Sequence, residues 1–218
     1  MADIVGNWTL RDLWDDLATR AGHRQFLEFQ NREDNVFTYT YNLFNEDINR
    51  TANIFLGLGI QKGDVVALHV HTSPEFLMCL FGLAKIGAIL APINEQYKLN
   101  EATYIVENSG AVCLVTEPIY YSTYQRMMDE GYRFPKGVLI ARAGSDSPKV
   151  SPSIRQLLEA STPDQMVYDF WALRCQQTTE LAEVRPLSAD DPVQIMYTSG
   201  TTSLPKGVVI THANMVFS

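Results

Sequence analysis

Short apolar runs alternate with amphipathic segments along most of this chain. In "TLRDLWDDLATR", Leu10, Leu13 and Leu17 recur at helical spacing and predict a helix that follows the N-cap residue Thr9. In "NVFTYTYN", aromatic residues occupy every second position, which predicts a strand with one apolar face. The period of the apolar residues therefore indicates a helix and then a strand near the start of the chain.

The same alternation continues through the middle of the chain. The runs "VVALHV", "AILAPIN", "AVCLVT" and "KGVLIA" predict short buried strands, and the segments between them have the apolar period of helices. Pro74 after Ser73 marks the start of one helix, and Gly110 marks the end of another. Strands that alternate with helices predict an α/β fold built on a wound sheet.

The last two predicted strands, Val193–Tyr197 and Gly207–Thr211, break this alternation. Only a loop of about nine residues separates them, which is too short for a helical crossover between parallel strands. We therefore predict an antiparallel hairpin over residues 193–211. Polar, turn-rich stretches at 142–152 and 176–192 are interpreted as linkers.

Composition and charge narrow the function classes. The net charge of −8 argues against a general nucleic-acid or anionic-membrane surface. No apolar run approaches the roughly 20 residues of a membrane span, and the polar N-terminus lacks a signal-peptide pattern. We expect a cytoplasmic protein with no membrane span and no nucleic-acid partner. Cys79 and Cys113 lie in apolar runs and are expected to be buried thiols.

The predicted hairpin loop, "YTSGTTSLPKG", has the chemistry of an oxyanion cradle. Its hydroxyls and backbone N–H groups can donate hydrogen bonds to phosphate oxygens, Gly200 permits a close approach, and Lys206 adds a positive charge. It is not a Walker A loop, because Pro205 precedes the lysine, Gly207 follows it, and a strand comes next. The alternative is a solvated hairpin connection, but the density of hydroxyl and glycine residues favours polyphosphate binding.

This loop resembles the phosphate-loop signature of the acyl-adenylate-forming enzymes. The upstream segments "TYNLFNEDINRTANIFLGLG" and "FGLAKIGAILAPIN" are similar to the same family in the same order, so the resemblance covers nearly the whole chain. It implies a flavodoxin-like wound sheet with flanking helices, part of the large N-terminal domain of these enzymes. Residues 1–70 would form the opening segment, and residues 71–218 an α/β subdomain that ends at the phosphate loop.

The resemblance also implies a chemistry and a set of residues. Such enzymes use ATP and magnesium to adenylate a small-molecule carboxylate, and coenzyme A then displaces AMP to give a thioester. Lys206 would be the catalytic residue, screening the charge of the leaving pyrophosphate, and Thr198 would also contact the magnesium ion. The implied nucleotide-binding residues are Thr198, Ser199, Gly200, Thr201, Thr202, Ser203 and Lys206.

Ser203 departs from the broad family pattern, which has glycine at this position. Together with "NRTANIF" and "GLAKIGAI", it is most similar to the branch that ligates carnitine-type acids to coenzyme A. That branch implies carnitine, crotonobetaine or γ-butyrobetaine as the acid. The alternatives are a ligase for another small or fatty carboxylate and a nucleotide-binding module without adenylation chemistry.

The chain is much shorter than the enzymes of this family. Their downstream motifs for adenine, ribose and a mobile C-terminal domain do not occur in its 218 residues. The resemblance therefore implies an N-terminal fragment that is inactive alone. We expect apolar surface on it that would lead to self-association or poor solubility.

Three histidines offer weaker alternatives. His69 and His71 lie two residues apart, on one side of a predicted strand, where a metal pair is conceivable but no third ligand is evident. Polar residues at a strand end are the favoured interpretation. His212 follows the hairpin and could approach a nucleotide, although a capping or packing role is favoured.

Overall fold

The computed structural model describes residues 7–141, 152–160, 166–198 and 204–217. Its helices are α1 (Leu10–Ala21), α2 (Tyr41–Gly57), α3 (Pro74–Ile86), α4 (Leu99–Ser109), α5 (Pro118–Asp129), α6 (Pro152–Ala160), α7 (Phe170–Cys175) and α8 (His212–Val216). Its strands are β1 (Gln25–Gln30), β2 (Val36–Thr40), β3 (Val65–His69), β4 (Ile89–Pro92), β5 (Cys113–Thr116), β6 (Val138–Ile140), β7 (Val167–Asp169), β8 (Pro192–Thr198) and β9 (Lys206–Thr211).

The main sheet contains seven strands in the order β7-β6-β5-β3-β4-β8-β9. Its first six strands run parallel, and β9 alone runs antiparallel, against β8. The order β4-β3-β5-β6-β7 within this sheet is the 2-1-3-4-5 order of flavodoxin-like proteins. The predicted fold class is therefore confirmed. The division of the chain at residue 70 stays a prediction.

Local sequence signals explain where several helices begin and end. Thr9 caps α1 through a capping box, in which its backbone N–H donates to Asp12 Oδ2 over 2.8 Å. Pro74 occupies the first turn of α3, where a missing N–H costs no hydrogen bond. Gly110 ends α4 in the left-handed conformation that glycine adopts without strain. These boundaries agree with the predictions made from the sequence.

Apolar side chains cover both faces of the parallel strands. On one face, α2 and α3 pack around Phe55 and Leu83, and on the other, α4 and α5 pack around Ile105 and Tyr124. Cys79 and Cys113 are buried in the first of these clusters, as predicted. A third, aromatic cluster joins α1 to the β1–β2 hairpin, and in it the Trp14 and Phe26 ring centroids are 4.8 Å apart.

The predicted linker that leads to β8 is tied to the rest of the fold by hydrogen bonds. Asn53 of α2 donates to the Glu180 carbonyl over 2.8 Å and accepts from the Ala182 N–H over 2.9 Å. Arg185 then donates to the Ile60 carbonyl over 2.9 Å. These bonds replace secondary structure along this stretch, so the chain enters β8 along a defined path.

Candidate functional site

The predicted hairpin is present at the edge of the main sheet. β8 and β9 pair antiparallel, with Tyr197 opposite Gly207 and Thr198 opposite Lys206. The site residues Thr198 and Lys206 therefore face each other where the hairpin opens into its connecting loop. The other predicted site residues lie outside the described part of the chain: Ser199, Gly200, Thr201, Thr202 and Ser203.

Strand direction places this opening at the carboxyl edge of the sheet. β8 runs parallel to β4, so Thr198 ends at the same edge as the other parallel strands. In open α/β sheets, ligands bind in the crevice outside these carboxyl ends. Thr198 and Lys206 are both solvent-exposed, so their hydroxyl and ammonium groups are accessible to a phosphate.

The tetrapeptide Pro-Lys-Gly-Val occurs twice in this chain, which gives an internal comparison. Lys136 precedes the parallel strand β6, and its N–H donates to the carbonyl of Val112, just before β5, over 2.9 Å. That position is the amino edge of the sheet. Lys206 begins β9, which runs the opposite way, and so the same sequence appears at the carboxyl edge. The two copies therefore lie at opposite edges of the sheet.

A cavity of about 390 Å³ lies beside the hairpin. It opens between the carboxyl ends of β3, β4 and β8, and its lining includes Phe76, Glu95, Tyr97, Met196 and Tyr197. The walls combine aromatic rings with a carboxylate, and two of the residues belong to β8 itself. The cavity is therefore continuous with the strand that leads into the predicted phosphate loop.

His212 links the end of the hairpin to the start of the chain. It follows β9 directly, is fully buried, and accepts the backbone N–H of Leu10 at Nδ1 over 3.1 Å. Because a backbone N–H can only donate, the imidazole must be unprotonated at Nδ1. Burial lowers the pKa of His212 to about 4, in keeping with this neutral form. The favoured interpretation of this residue, a capping or packing role, is confirmed.

His69 and His71 bond to different residues near the carboxyl ends of β3 and β5, and the Tyr120 ring stacks on His69 with centroids 3.9 Å apart. The buried His69 ring lies 2.7 Å from the Tyr124 hydroxyl through Nδ1. His71 contacts Glu117 through Nδ1 over 2.8 Å and the Tyr120 hydroxyl through Nε2 over 3.0 Å. Within the described residues, no group of three or more potential ligands is placed to hold a metal ion. The contacts support the interpretation of these histidines as polar groups at a strand end.

Sequence reasoning did not single out Tyr197 or the helix that it contacts. The Tyr197 hydroxyl donates to Asn108 Oδ1 of α4 over 2.8 Å, and its ring meets Tyr104 edge to face, with centroids 6.4 Å apart. The sequence predicted only that Tyr197 ends a strand. It held no information about which helix would receive the hydroxyl, because that contact spans 89 residues of sequence.

Among the described residues, the helices are all too short or too polar to cross a membrane.

Comparisons with known proteins give a consistent result. A family profile described as AMP-binding enzyme matches residues 14–218. Two curated relatives are crotonobetaine/carnitine–CoA ligases, one from Escherichia coli O127:H6 (44% identical over 217 residues) and one from Citrobacter koseri (43% over 216). Each alignment covers 99% of this chain, but the chain spans only 39% of the length of either relative.

Solved structures with the same fold include two acyl–CoA-forming enzymes. An anthranilate CoA ligase in complex with anthranoyl-AMP superposes with a TM-score of 0.75 at 22% identity, covering 97% of this chain and 36% of the ligase. A Mycobacterium tuberculosis fatty acyl CoA synthetase gives a TM-score of 0.68 at 24% identity, covering 94% and 34%. At these identities the similarity concerns the fold.

Proposed function

The chain belongs to the AMP-binding enzyme family, as its loop motif predicted, and we propose on this premise that it forms the N-terminal part of an ATP-dependent carboxylate–CoA ligase. The observation that carries the proposal is the hairpin, which sets Lys206 opposite Thr198 at the carboxyl edge of the sheet. The loop between them has the hydroxyl and glycine composition of a phosphate cradle.

In the proposed reaction, a carboxylate attacks the α-phosphorus of ATP to give an acyl-adenylate and pyrophosphate. The thiol of coenzyme A then attacks the acyl carbon, and AMP leaves as the thioester forms. Negative charge develops on the departing pyrophosphate in the first step, and a fixed cation beside it lowers the barrier. The exposed ammonium of Lys206 would supply this positive charge. The Thr198 hydroxyl can donate a hydrogen bond to a phosphate oxygen.

A magnesium ion at this site would have few protein ligands among the described residues. Thr198 offers one hard oxygen ligand, and the described residues hold no cluster of acidic or histidine side chains that would surround a metal. The ion would therefore be bound by phosphate oxygens and water, with Thr198 as a protein ligand. When bound, it would neutralise phosphate charge during adenylation.

For the acid substrate, we propose carnitine, crotonobetaine or γ-butyrobetaine. Relatives that are 43–44% identical over nearly the whole chain are named for crotonobetaine and carnitine. Another small or fatty carboxylate is the alternative within the same reaction. A cytoplasmic location of the protein is part of the same proposal.

We also propose that the chain self-associates. Large apolar side chains are exposed on the hairpin, namely Met196, Leu204, Val208 and Val209, with exposed fractions of 45–64%. Exposed apolar area of this kind is buried when a partner surface covers it.

The test is ATP–pyrophosphate exchange by the full-length product of the gene that encodes this chain, with carnitine, crotonobetaine, γ-butyrobetaine and fatty acids offered in turn. Lys206→Ala and Thr201→Ala are each expected to lower the exchange rate by roughly tenfold or more, because each removes a phosphate contact. Lys136→Ala is the matched control, since it changes the other copy of Pro-Lys-Gly-Val at the opposite edge.

Wild-type rates in both site variants would refute the assigned roles. Tight binding of Mg-ATP to the chain, measured by calorimetry, together with no exchange for any acid, would favour a nucleotide-binding module instead. Exchange that responds only to fatty acids would leave the reaction class standing and overturn the substrate assignment.

A further inference from the structure

One phenol ring connects both limbs of the hairpin to a helix on the α4 side of the sheet. Tyr197 immediately precedes Thr198, the last residue of β8, and it packs against the cluster formed by α4 and α5. Its hydroxyl donates to Asn108 Oδ1 over 2.8 Å. The ring of Tyr104, one turn earlier on α4, meets it at an interplanar angle of 83°. The β8 limb is therefore attached to α4 by a hydrogen bond and an aromatic contact.

The same ring also covers the β9 limb. Gly207 pairs with Tyr197 across the ladder, and a Cβ added at Gly207 would lie 2.9 Å from Ile195 Cγ2 and 3.3 Å from Tyr197 Cζ. Real Cβ atoms essentially never come within 3.0 Å of another heavy atom, so a side chain at residue 207 would force Ile195, and to a smaller extent the Tyr197 ring, to shift. The glycine after Lys206 thus leaves room for the Ile195 side chain and the Tyr197 ring beside the strand that carries the lysine.

We propose that Tyr197 and Asn108 are positioning residues that hold Thr198 and Lys206 in the geometry for binding nucleotide phosphates. The inference rests on the proposed function, because it assigns these residues to the same site. Their proposed role is to hold the ends of the loop and not to contact the phosphates themselves. They act by fixing the two ends of the loop before the nucleotide arrives, so that less conformational entropy is lost on binding.

The position of the anchor makes its effect selective. Tyr197 is adjacent to Thr198 along the chain and opposite the residue that follows Lys206. Releasing its hydroxyl loosens the end of the hairpin while the buried part of β8, around Val193 and Gln194, stays packed. We therefore expect weaker ATP binding without a matching change for the carboxylic acid.

The experiment is a double-mutant cycle with Tyr197→Phe and Asn108→Ala in the full-length protein. Each single variant is expected to raise the KM for ATP about three- to tenfold, the range expected for one lost hydrogen bond. The KM for the acid should stay within about twofold of the wild-type value. The double variant should be no worse than either single variant, because both remove the same bond.

Tyr132→Phe is the matched control. It removes another tyrosine hydroxyl, which donates over 3.1 Å to the Ala111 carbonyl, in the turn that leads from α4 to β5. It should change the thermal midpoint by a similar amount and leave the KM for ATP unchanged. A general loss of stability would affect all three tyrosine and asparagine variants alike, whereas a positioning role affects only the pair at the hairpin.

Several results would overturn this inference. These are an unchanged KM for ATP in both single variants, additive effects in the double variant, or an equal rise in Tyr132→Phe. If the wild-type protein catalyses ATP–pyrophosphate exchange, any one of these three results refutes the positioning role and leaves the proposed function intact. No exchange by the wild-type protein with any acid refutes the proposed function, and the inference fails with it.

Discussion

Lowering the pH from 7.5 to 4.5 is expected to destabilise the fold through two buried histidines, His69 and His212. Their exposed fractions are 1% and 0%, and burial lowers the pKa of each ring from 6.5 to about 4. Both rings are neutral in the folded protein at pH 7. In the unfolded chain they take up protons as the pH falls through about 6.5.

The contacts of His212 show why its protonated form is excluded. Its Nδ1 accepts the N–H of Leu10 at the start of α1, and a proton there would set two donors against each other. Asp191 raises the pKa of the ring and Arg11 lowers it, but burial is the largest influence. For His69, burial again comes first, and the nearby His71 lowers the pKa further.

The sign of the effect follows from proton uptake. Between pH 6.5 and 4 the unfolded chain binds more protons than the folded protein, so the free energy of unfolding falls as the pH falls. A pKa lowered from 6.5 to about 4 corresponds to about 3 kcal/mol for each ring once the pH is below both values. At pH 4.5 we expect a loss of about 2–3 kcal/mol per histidine, or about 5 kcal/mol together. That is a large share of the roughly 5–15 kcal/mol of a typical domain.

Acidic groups act in a different pH window. Burial would raise the pKa of Asp191, but hydrogen bonds from Lys62 and the Ser188 N–H hold it below 3.8. Its contribution is present above about pH 4 and is lost only as the pH falls further. A slope between pH 6.5 and 4.5 therefore reports mainly the histidines.

The assay is urea unfolding of the chain at half-unit pH steps, followed by tryptophan fluorescence, to which the buried Trp14 contributes. His212→Gln removes one titrating ring and should halve the loss of stability between pH 7.5 and 4.5. His23→Gln is the matched control, because His23 is exposed, and it should leave the slope unchanged. A free energy of unfolding that is flat over this range, or that rises toward pH 4.5, would refute the reasoning.

Two further predictions concern buried lysine and glycine positions. Lys85 is 2% exposed, and its ammonium donates to three side-chain oxygens on α1 and α2, among them Asp15 Oδ1 over 2.7 Å. Lys85→Met removes these three hydrogen bonds, one of them to a carboxylate that is 57% exposed and can bind water instead, and should cost about 1–3 kcal/mol in urea unfolding; a cost below about 0.5 kcal/mol would contradict this. Gly137 has a φ of 92° and lacks room for a Cβ, which would lie 2.7 Å from the Met166 carbonyl oxygen. Gly137→Ala should therefore lower the free energy of unfolding by about 2–4 kcal/mol. Gly63 has a similar φ but open space around it, so Gly63→Ala should cost about 1 kcal/mol. Equal costs for the two variants would show that the contact with Met166 does not matter.

The sequence predicted best those elements whose signals are local. The N-cap at Thr9 and the glycine that ends α4 are decided within a few residues, and the structure has both as predicted; the capping box at Thr9 and the left-handed φ of Gly110 are findings of the structure. Strand β7 was not predicted. It has only three residues, Val167–Asp169, which is too few to show a period, and its pairing with β6 defines it. The β1 strand was missed as well, because its side chains are only partly buried and its period is weak.

The two copies of Pro-Lys-Gly-Val show most directly what local sequence cannot determine. Residues 135–138 and 205–208 are identical in sequence, and each enters a strand. Their lysines differ in position because β6 runs with the parallel sheet and β9 runs against it, which moves the lysine from the amino edge to the carboxyl edge. The direction of β9 follows from the shortness of its connection to β8, since a loop of about nine residues cannot cross over. The phosphate-site hypothesis therefore depended on the spacing between two strands as much as on the motif. The antiparallel pairing of β8 with β9 confirms the hairpin that this spacing predicted.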